Sequence, residues 1–375
     1  MYTARHYQAK TYAELDLINV MDVVNDINQG RIVLLGDPGL GKSTLLKKLL
    51  LHWAENQVRP LAVFLELRRV VDQFANAQFL EYLEHGSEQT CCLPRAELDQ
   101  HLRANASLLL FDGLDEVTPG LRAIAIESII RFADDYPLCR VIVTTRINGY
   151  NVGSTHPERF RDAGFEQYTL QDFQDSEIHE FIRLWHNEAF TDVLERKRFR
   201  IRLEKAVRQS RTIRELAANP LLLTMMAILS RNQDLPRDRA RLYERCAELL
   251  LKSWDLEKCP EKNDRTGALD IKDKLGPDQK MRILEQVAAA MEESPTGLSA
   301  NLISEDRLRE IVVTALESLA VLQPWSVAED LIWMLRERNF MLAYLGDREY
   351  GFIHRTFLEY FSARNLKYRL EKLRP

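Results

Sequence analysis

Residues 31–44 read RIVLLGDPGLGKST, and the fold turns on them. A short β-rich apolar run, RIVLLG (31–36), leads into G-x-x-x-x-G-K-[ST] at Gly36, Gly41, Lys42 and Ser43. An apolar helical pattern, LLKKLLLHWA, follows directly. The glycines let the loop of Gly36, Asp37, Pro38, Gly39, Leu40 and Gly41 wrap tightly, so that backbone N–H groups point inward at phosphate oxygens. The helix that starts near Lys42 adds its positive N-terminal end. Lys42 reaches the β- and γ-phosphates, and Ser43 offers a hydroxyl to Mg²⁺. Strand before and helix after are the context that separates this motif from a chance glycine turn.

Outward from this loop, up to about residue 170, four more short runs alternate with helical patterns. They are LAVFLEL (61–67), SLLLFDG (107–113), RVIVTTR (140–146) and EQYTL (166–170). Alternation of this kind predicts βαβ units and a parallel sheet covered by helices on both faces. From about 172 onward, segments such as SEIHEFIRLWHNEAF (176–190) and DRLREIVVTALESLA (306–320) carry helical spacing, and strand patterns almost vanish. EKNDRTGALDIKDKLGPD (261–278) is polar, contains Gly and Pro, and reads as a linker between two helical units. No internal repeat is visible.

A second acidic element is LLLFDGLDEV (108–117). A buried strand delivers Asp112 at its C-terminal edge, where ligands sit in an open α/β sheet. Asp112 is placed there to hold Mg²⁺ through water. Asp115 and Glu116 follow on the same exit loop, where a carboxylate can orient and polarise an attacking water. The competing reading is a solvated acidic turn. A third element, VIVTTR (141–146), reads as a strand lying between the other two and ending at Thr144, Thr145 and Arg146. Arg146 can read a terminal phosphate bidentately, against the plainer reading of a strand-end arginine reaching for water.

Composition bounds the rest. A chain of 375 residues is too long for one ordinary core. Hydrophobic residues at 46%, charged residues at 29% and a net charge of −5 fit a soluble globular protein and argue against wholesale coating of nucleic acid. Nine basic residues crowd into RKRFRIRLEKAVRQSRTIR (196–214), but Glu195, Glu204 and Glu215 and the helical spacing favour a solvated helix face. The five cysteines lack ligand spacing, which predicts a reduced, cytoplasmic protein without structural zinc. The longest apolar run, PLLLTMMAIL, is about half of a membrane span.

Taken together, these motifs resemble a NACHT-type NTPase of the STAND class, most closely the bacterial, innate-immune and anti-phage type. GDPGLGKST resembles the family's phosphate loop, LLLFDGLDE its extended acidic motif and TTR its sensor arginine. LAANPLLLTMMAIL (216–229) resembles the helical-domain motif whose proline, here Pro220, packs near the adenine. FIHRTFLEYFSA (352–363) resembles the winged-helix motif whose histidine, here His354, reaches the β-phosphate of bound ADP. Without the resemblance, His354 reads as a satisfied core histidine. The implied fold is an α/β nucleotide-binding domain with an ASCE/AAA+-like parallel sheet, then an all-α helical domain and a winged-helix domain. The expected bounds are an N-terminal segment at 1–30, the NACHT domain at 31–170, the helical domain at 171–262 and the winged helix at 263–375.

The resulting expectation is a switch that binds ATP/ADP with Mg²⁺, hydrolyses ATP slowly and controls oligomerisation in immune or anti-phage signalling. Lys42 and the loop backbone, with Thr44, hold phosphates; Ser43 and Asp112 hold the metal; Asp115, Glu116 and Arg146 serve hydrolysis; Pro220 and His354 serve the ADP-bound state. About 30 residues precede the phosphate loop and 21 follow His354. That leaves no room for the family's usual effector and sensor, so the chain is expected to be an excised core. Two other readings stay open: an AAA+-like remodeller or nucleic-acid-stimulated ATPase, and a scaffold that keeps nucleotide without turning it over.

Overall fold

The computed structural model describes residues 3–6, 17–25, 30–37, 39–55, 61–73, 78–85, 93–117, 119–147, 150, 156–252, 275–293, 301–337, 341–346 and 348–372. The chain divides into two compact units. One is residues 1–181 with 219–221 and 345–347; the other is residues 182–218, 222–344 and 348–375.

The first unit runs β1 (Thr3–His6), β2 (Ile18–Asn19), α1 (Val20–Asn25), β3 (Arg31–Leu35), α2 (Lys42–Glu55), β4 (Ala62–Glu66), α3 (Leu67–Gln73), α4 (Phe79–His85) and α5 (Arg95–Ala104). It continues through β5 (Leu108–Asp112), a 3₁₀ turn (Leu114–Glu116), α6 (Pro119–Asp135), β6 (Arg140–Thr145), α7 (His156–Asp162) and β7 (Glu166–Leu170). The seven strands form one sheet in the order β2-β1-β7-β3-β6-β5-β4. All five expected strands are present, and β3, β4, β5, β6 and β7 pair in parallel. The strand expected between the phosphate loop and the acidic loop is there: β6 pairs with β3 on one side and β5 on the other.

Alternation along the strands explains the layering, because successive side chains point to opposite faces of a sheet. Ile32, Leu34, Leu108, Leu110 and Ile142 join α1 and α2 in one buried cluster. Val33, Leu35, Leu109, Phe111, Val141 and Val143 join α3 to α6 in the other. Both faces are covered, so the central strands read as nearly continuous apolar runs. The sheet departs from expectation at one edge. There the N-terminal segment adds β1 and β2, β1 pairing antiparallel with β7 and with β2. TARH has no alternating apolar signal, and its strand pairs with the edge that β7 would otherwise leave open.

The helix α8 (Asp175–Ala189) spans the division between the units. After it come α9 (Val193–Gln209), α10 (Arg211–Ala217), α11 (Pro220–Leu229), α12 (Arg239–Lys252), α13 (Pro277–Glu292), β8 (Ile303–Ser304), α14 (Glu305–Ser318), α15 (Pro324–Glu337), β9 (Leu342–Gly346), β10 (Glu349–Phe352) and α16 (Arg355–Lys372). Side-chain caps set several starts. Asp192 accepts from the N–H groups of Leu194 and Glu195 at 2.8 Å each, Ser210 caps α10, and Ser304 caps α14.

A three-stranded sheet of order β8-β10-β9 accompanies the later helices. The expected linker lies outside the described residues as far as 274, and α13 begins at Pro277. Trp254, Cys91, Cys92 and Cys259 also lie outside them. Within the second unit α12 packs on α16. The Tyr243 ring lies 5.3 Å from Phe357 and 5.9 Å from Tyr360, and Arg364 pairs with Glu244 at 2.9 Å.

Candidate functional site

The site is built at the C-terminal ends of β3, β5 and β6. Gly36 ends β3, its N–H donating to the Thr145 carbonyl at 3.2 Å. Gly39 and Gly41 then take φ of +82° and +83°. In that left-handed region a side chain is strained, so the tight loop needs glycine at both places. Gly39 also lies against the stretch at the head of α11: a Cβ there would stand 3.2 Å from Leu221 Cβ and 3.3 Å from Asn219 Oδ1. Leu40 is buried and pins the loop to the core, whereas Asp37 is exposed. Pro38 lies outside the described residues.

Lys42 starts α2, and Ser43 and Thr44 are exposed on its first turn. The Lys42 ammonium donates to the carbonyls of Gly36 at 2.6 Å and Asp37 at 3.2 Å. Burial lowers its pKa to about 8; Asp115, Asp37 and Asp112 oppose the shift and Arg146 adds to it. An ammonium so desolvated, with cation and carboxylates around it, gains from an incoming anion that favours its charged form.

At the end of β5, Asp112 Oδ1 accepts from the Thr144 hydroxyl at 2.5 Å. The same hydroxyl oxygen accepts from the Gly113 N–H at 3.0 Å. Gly113 has φ of +75°, which turns the chain into the 3₁₀ segment. Asp115 is buried, 2% exposed. Its Oδ1 accepts from the Arg146 backbone N–H at 3.0 Å, and its Oδ2 ion-pairs with Arg146 Nε at 2.8 Å. Arg122, also buried, clasps the turn from α6 by donating to the carbonyls of Asp115 at 3.1 Å and Val117 at 3.3 Å. Glu116 is the exposed carboxylate of the turn.

Lys42, Ser43, Asp112, Asp115, Glu116 and Arg146 thus belong to one edge of one sheet. Two hard oxygen donors, the exposed Ser43 hydroxyl and the Asp112 carboxylate, are the kind Mg²⁺ takes. The inward turn of Asp115 differs from the sequence reading, which paired it with Glu116 as a water activator. Both its oxygens face Arg146. Three residues escaped the sequence reading: Thr144 was quoted only as a strand end, and Arg122 and Asn219 were not singled out. The signal for Thr144 is a polar residue continuing the apolar run VIV, since a buried hydroxyl needs partners.

Pro220 is buried at the first position of α11, in the 219–221 stretch that belongs to the first unit and meets Gly39. His354 belongs to the second unit, between β10 and α16. Its Nδ1 lies 2.6 Å from Thr356 Oγ1 and accepts from the Thr356 N–H at 3.3 Å. An accepting Nδ1 puts the proton of the neutral ring on Nε2.

Comparison with known proteins bears on both halves of the chain. The family model for the NACHT domain matches residues 30–189. The model for the winged helix-turn-helix domain C-terminal to NACHT matches residues 239–366 and so takes in α12, which the sequence reading gave to the helical domain. Among curated proteins nothing matches. Solved structures with similar folds include Cdc6p from Pyrobaculum aerophilum (16% identity, 92% of this chain and 88% of that one, TM-score 0.32). The Aeropyrum pernix ORC1 protein, solved in complex with DNA, matches at 14% identity over 91% and 88%, TM-score 0.39. AMPPCP-bound DnaA from Aquifex aeolicus matches at 13% over 85% and 86%, TM-score 0.34. Superpositions this loose transfer no ligand or partner. Among the described residues no helix is long and apolar enough to cross a membrane. With its phosphate loop, acidic turn and Arg146 inside one matched span and the associated winged helix in the other, the chain belongs to the NACHT NTPase family.

Proposed function

We propose that the chain is a cytoplasmic ATP-driven switch that cycles slowly between ADP- and ATP-bound states and controls self-association in innate immune signalling of the bacterial, anti-phage type. The loop from Gly36 to Gly41, Lys42 and Thr44 take the phosphates, and Ser43 and Asp112 hold Mg²⁺. When bound, the metal neutralises charge on the β- and γ-phosphate oxygens. Arg146 contacts the terminal phosphate, with Asp115 holding its guanidinium in place. Glu116 accepts a proton from the water whose oxygen attacks the γ-phosphorus, while the bond from that phosphorus to the ADP oxygen breaks. Pro220 borders the base. His354 donates from Nε2 to the β-phosphate of ADP and keeps the resting state closed.

The observation that carries this reading is the convergence on Lys42. Its ammonium lies within electrostatic reach of Asp37, Asp112, Asp115 and Arg146, so the lysine, the acidic loop and the strand-end arginine bear on one point. A ligand shifts an equilibrium only by its differential contacts, and His354 supplies one for ADP. His354→Ala is expected to release ADP faster and to raise basal self-association, measured by fluorescent-ADP dissociation and light scattering. Unchanged values for both would make His354 a core residue and leave the switch without its latch.

A further inference from the structure

Residues 193–245 contain fourteen Lys and Arg against six Asp and Glu, a net +8 in a chain whose total is −5. Within this stretch α9 shows how the charge is organised. Leu203 and Val207 are its buried residues. At 3.6 residues per turn, the opposite face is an arc of roughly 140° that carries Lys197, Arg198, Arg202, Lys205 and Arg208. Glu195 and Glu204 fall just outside that arc on either flank. Glu204 pairs instead with Arg200 at 3.5 Å, and Glu215 of α10 pairs with Arg211 at 2.8 Å. Two of the three acidic neighbours, Glu204 and Glu215, are therefore engaged by arginines outside that arc. Among the described residues Lys197, Arg198, Lys205 and Arg208 make no ion pair, and all four are exposed.

Two further features organise the face. Arg198 and Arg202 both lie over the ring of Phe199, 5.9 and 5.6 Å from its centroid, which limits the freedom of their guanidinium groups. At the C-terminal end of the helix, a cavity of about 150 Å³ is lined by Arg202, Lys205, Gln209, Ser210 and Arg237, with one carboxylate, Asp234. Asp234 pairs with Arg202 at 3.2 Å. The Ser210 oxygen accepts from the Ile213 N–H, so its own proton stays available to a ligand. Two further cations, a hydroxyl and an amide around a small cavity suit one phosphate group.

We propose that this face of α9, with the cavity at its end, binds the sugar-phosphate backbone of a nucleic acid. A single small anion would need the cavity alone. The cations instead recur turn after turn along a helix of about 26 Å, as a polymer charged at every repeat requires. Their predominance of arginine suits bidentate phosphate contacts. The contacts proposed are to phosphates, which position a nucleic acid without carrying sequence information, so the binding is independent of sequence.

The test uses the full chain and fluorescein-labelled single-stranded and duplex DNA, read by anisotropy. With about five phosphates engaged, affinity for a single strand is expected to fall about 10²-fold between 50 and 200 mM salt. Charge reversal at Lys197, Arg198, Lys205 and Arg208 is expected to abolish binding while ATP binding stays intact. The milder K205Q/R208Q variant, which keeps the helix, is expected to weaken it and flatten the salt slope. Unchanged affinity in the reversed variant overturns the proposal, and so does an absence of DNA binding. Polyglutamate competing as well as unlabelled DNA would also overturn it, because the face would then be a docking surface for acidic proteins.

Discussion

Two buried carboxylate–arginine pairs, one in each unit, make an instructive contrast. Asp115 pairs with Arg146 at 2.8 Å, and Glu285 pairs with Arg364 at 2.8 Å; both carboxylates are 2% exposed. Around the first stand loop glycines with positive φ, a lysine with a depressed pKa and an exposed hydroxyl at a helix start. Around the second stand packed helices. Arg282 also reaches Glu285 at 2.9 Å, and Arg364 also reaches Glu244 and the Tyr360 hydroxyl, both at 2.9 Å. The same chemistry sits among accessible polar groups in one place and among packed helices in the other. A buried ion pair by itself marks neither; the polar groups left accessible beside it decide.

The contrast can be broken in order of expected effect. Glu116→Gln removes the proposed base and is expected to lower ATP turnover by roughly 10²–10⁴-fold with ATP affinity kept; normal single-turnover rates would move the base elsewhere. Glu285→Gln removes the buried charge that Arg364 and Arg282, both partly exposed, share. It is expected to cost about 2 kcal/mol of stability in urea unfolding, with turnover per folded molecule unchanged. Asp115→Asn is the matched variant, expected to depress turnover more than stability. Equal profiles for the two would erase the distinction.

Gly39→Ala puts a side chain at positive φ and against Leu221. It is expected to cost about 1–2 kcal/mol of loop stability, read as a loss of nucleotide affinity. The smallest effect concerns Lys42. Its free-state pKa is lowered to about 8, and a bound phosphate favours the charged form, so the complex binds more protons than the free protein above that pH. Nucleotide affinity is therefore expected to hold below about pH 8 and to fall above it by at most about tenfold per unit. Calorimetry across that range checks it, and Lys42→Met should remove the slope.

Much of the first unit was legible because its signals are local. RIVLLG, SLLLFDG and RVIVTT are buried on both faces and announce themselves as apolar runs, and the glycine spacing of the loop follows from backbone sterics alone. What stayed hidden depends on direction or distance. Asp115 and Glu116 are neighbours in sequence, yet a 3₁₀ turn sends one inward and leaves the other in water. No pattern in TARH foretells a strand, because its partner lies some 160 residues away at β7. On α9 the acidic neighbours and the helical spacing read as a solvated helix face; the buried positions Leu203 and Val207 fix the phase, and Glu195 and Glu204 then fall outside the basic arc.

One oxygen atom gathers several of these threads. The Thr144 side chain touches the Asp112 carboxylate and the Gly113 amide, while the next residues along its strand lead to Arg146. Donor and acceptor are thereby shared across the tips of β5 and β6. The hydroxyl thus links the strand that ends at Arg146 directly to the Asp112 carboxylate. Under the roles proposed above, sensing the last phosphate and gripping the ion would become a single mechanical act, geared through a hydroxyl that valine, its nearest isostere, does not possess.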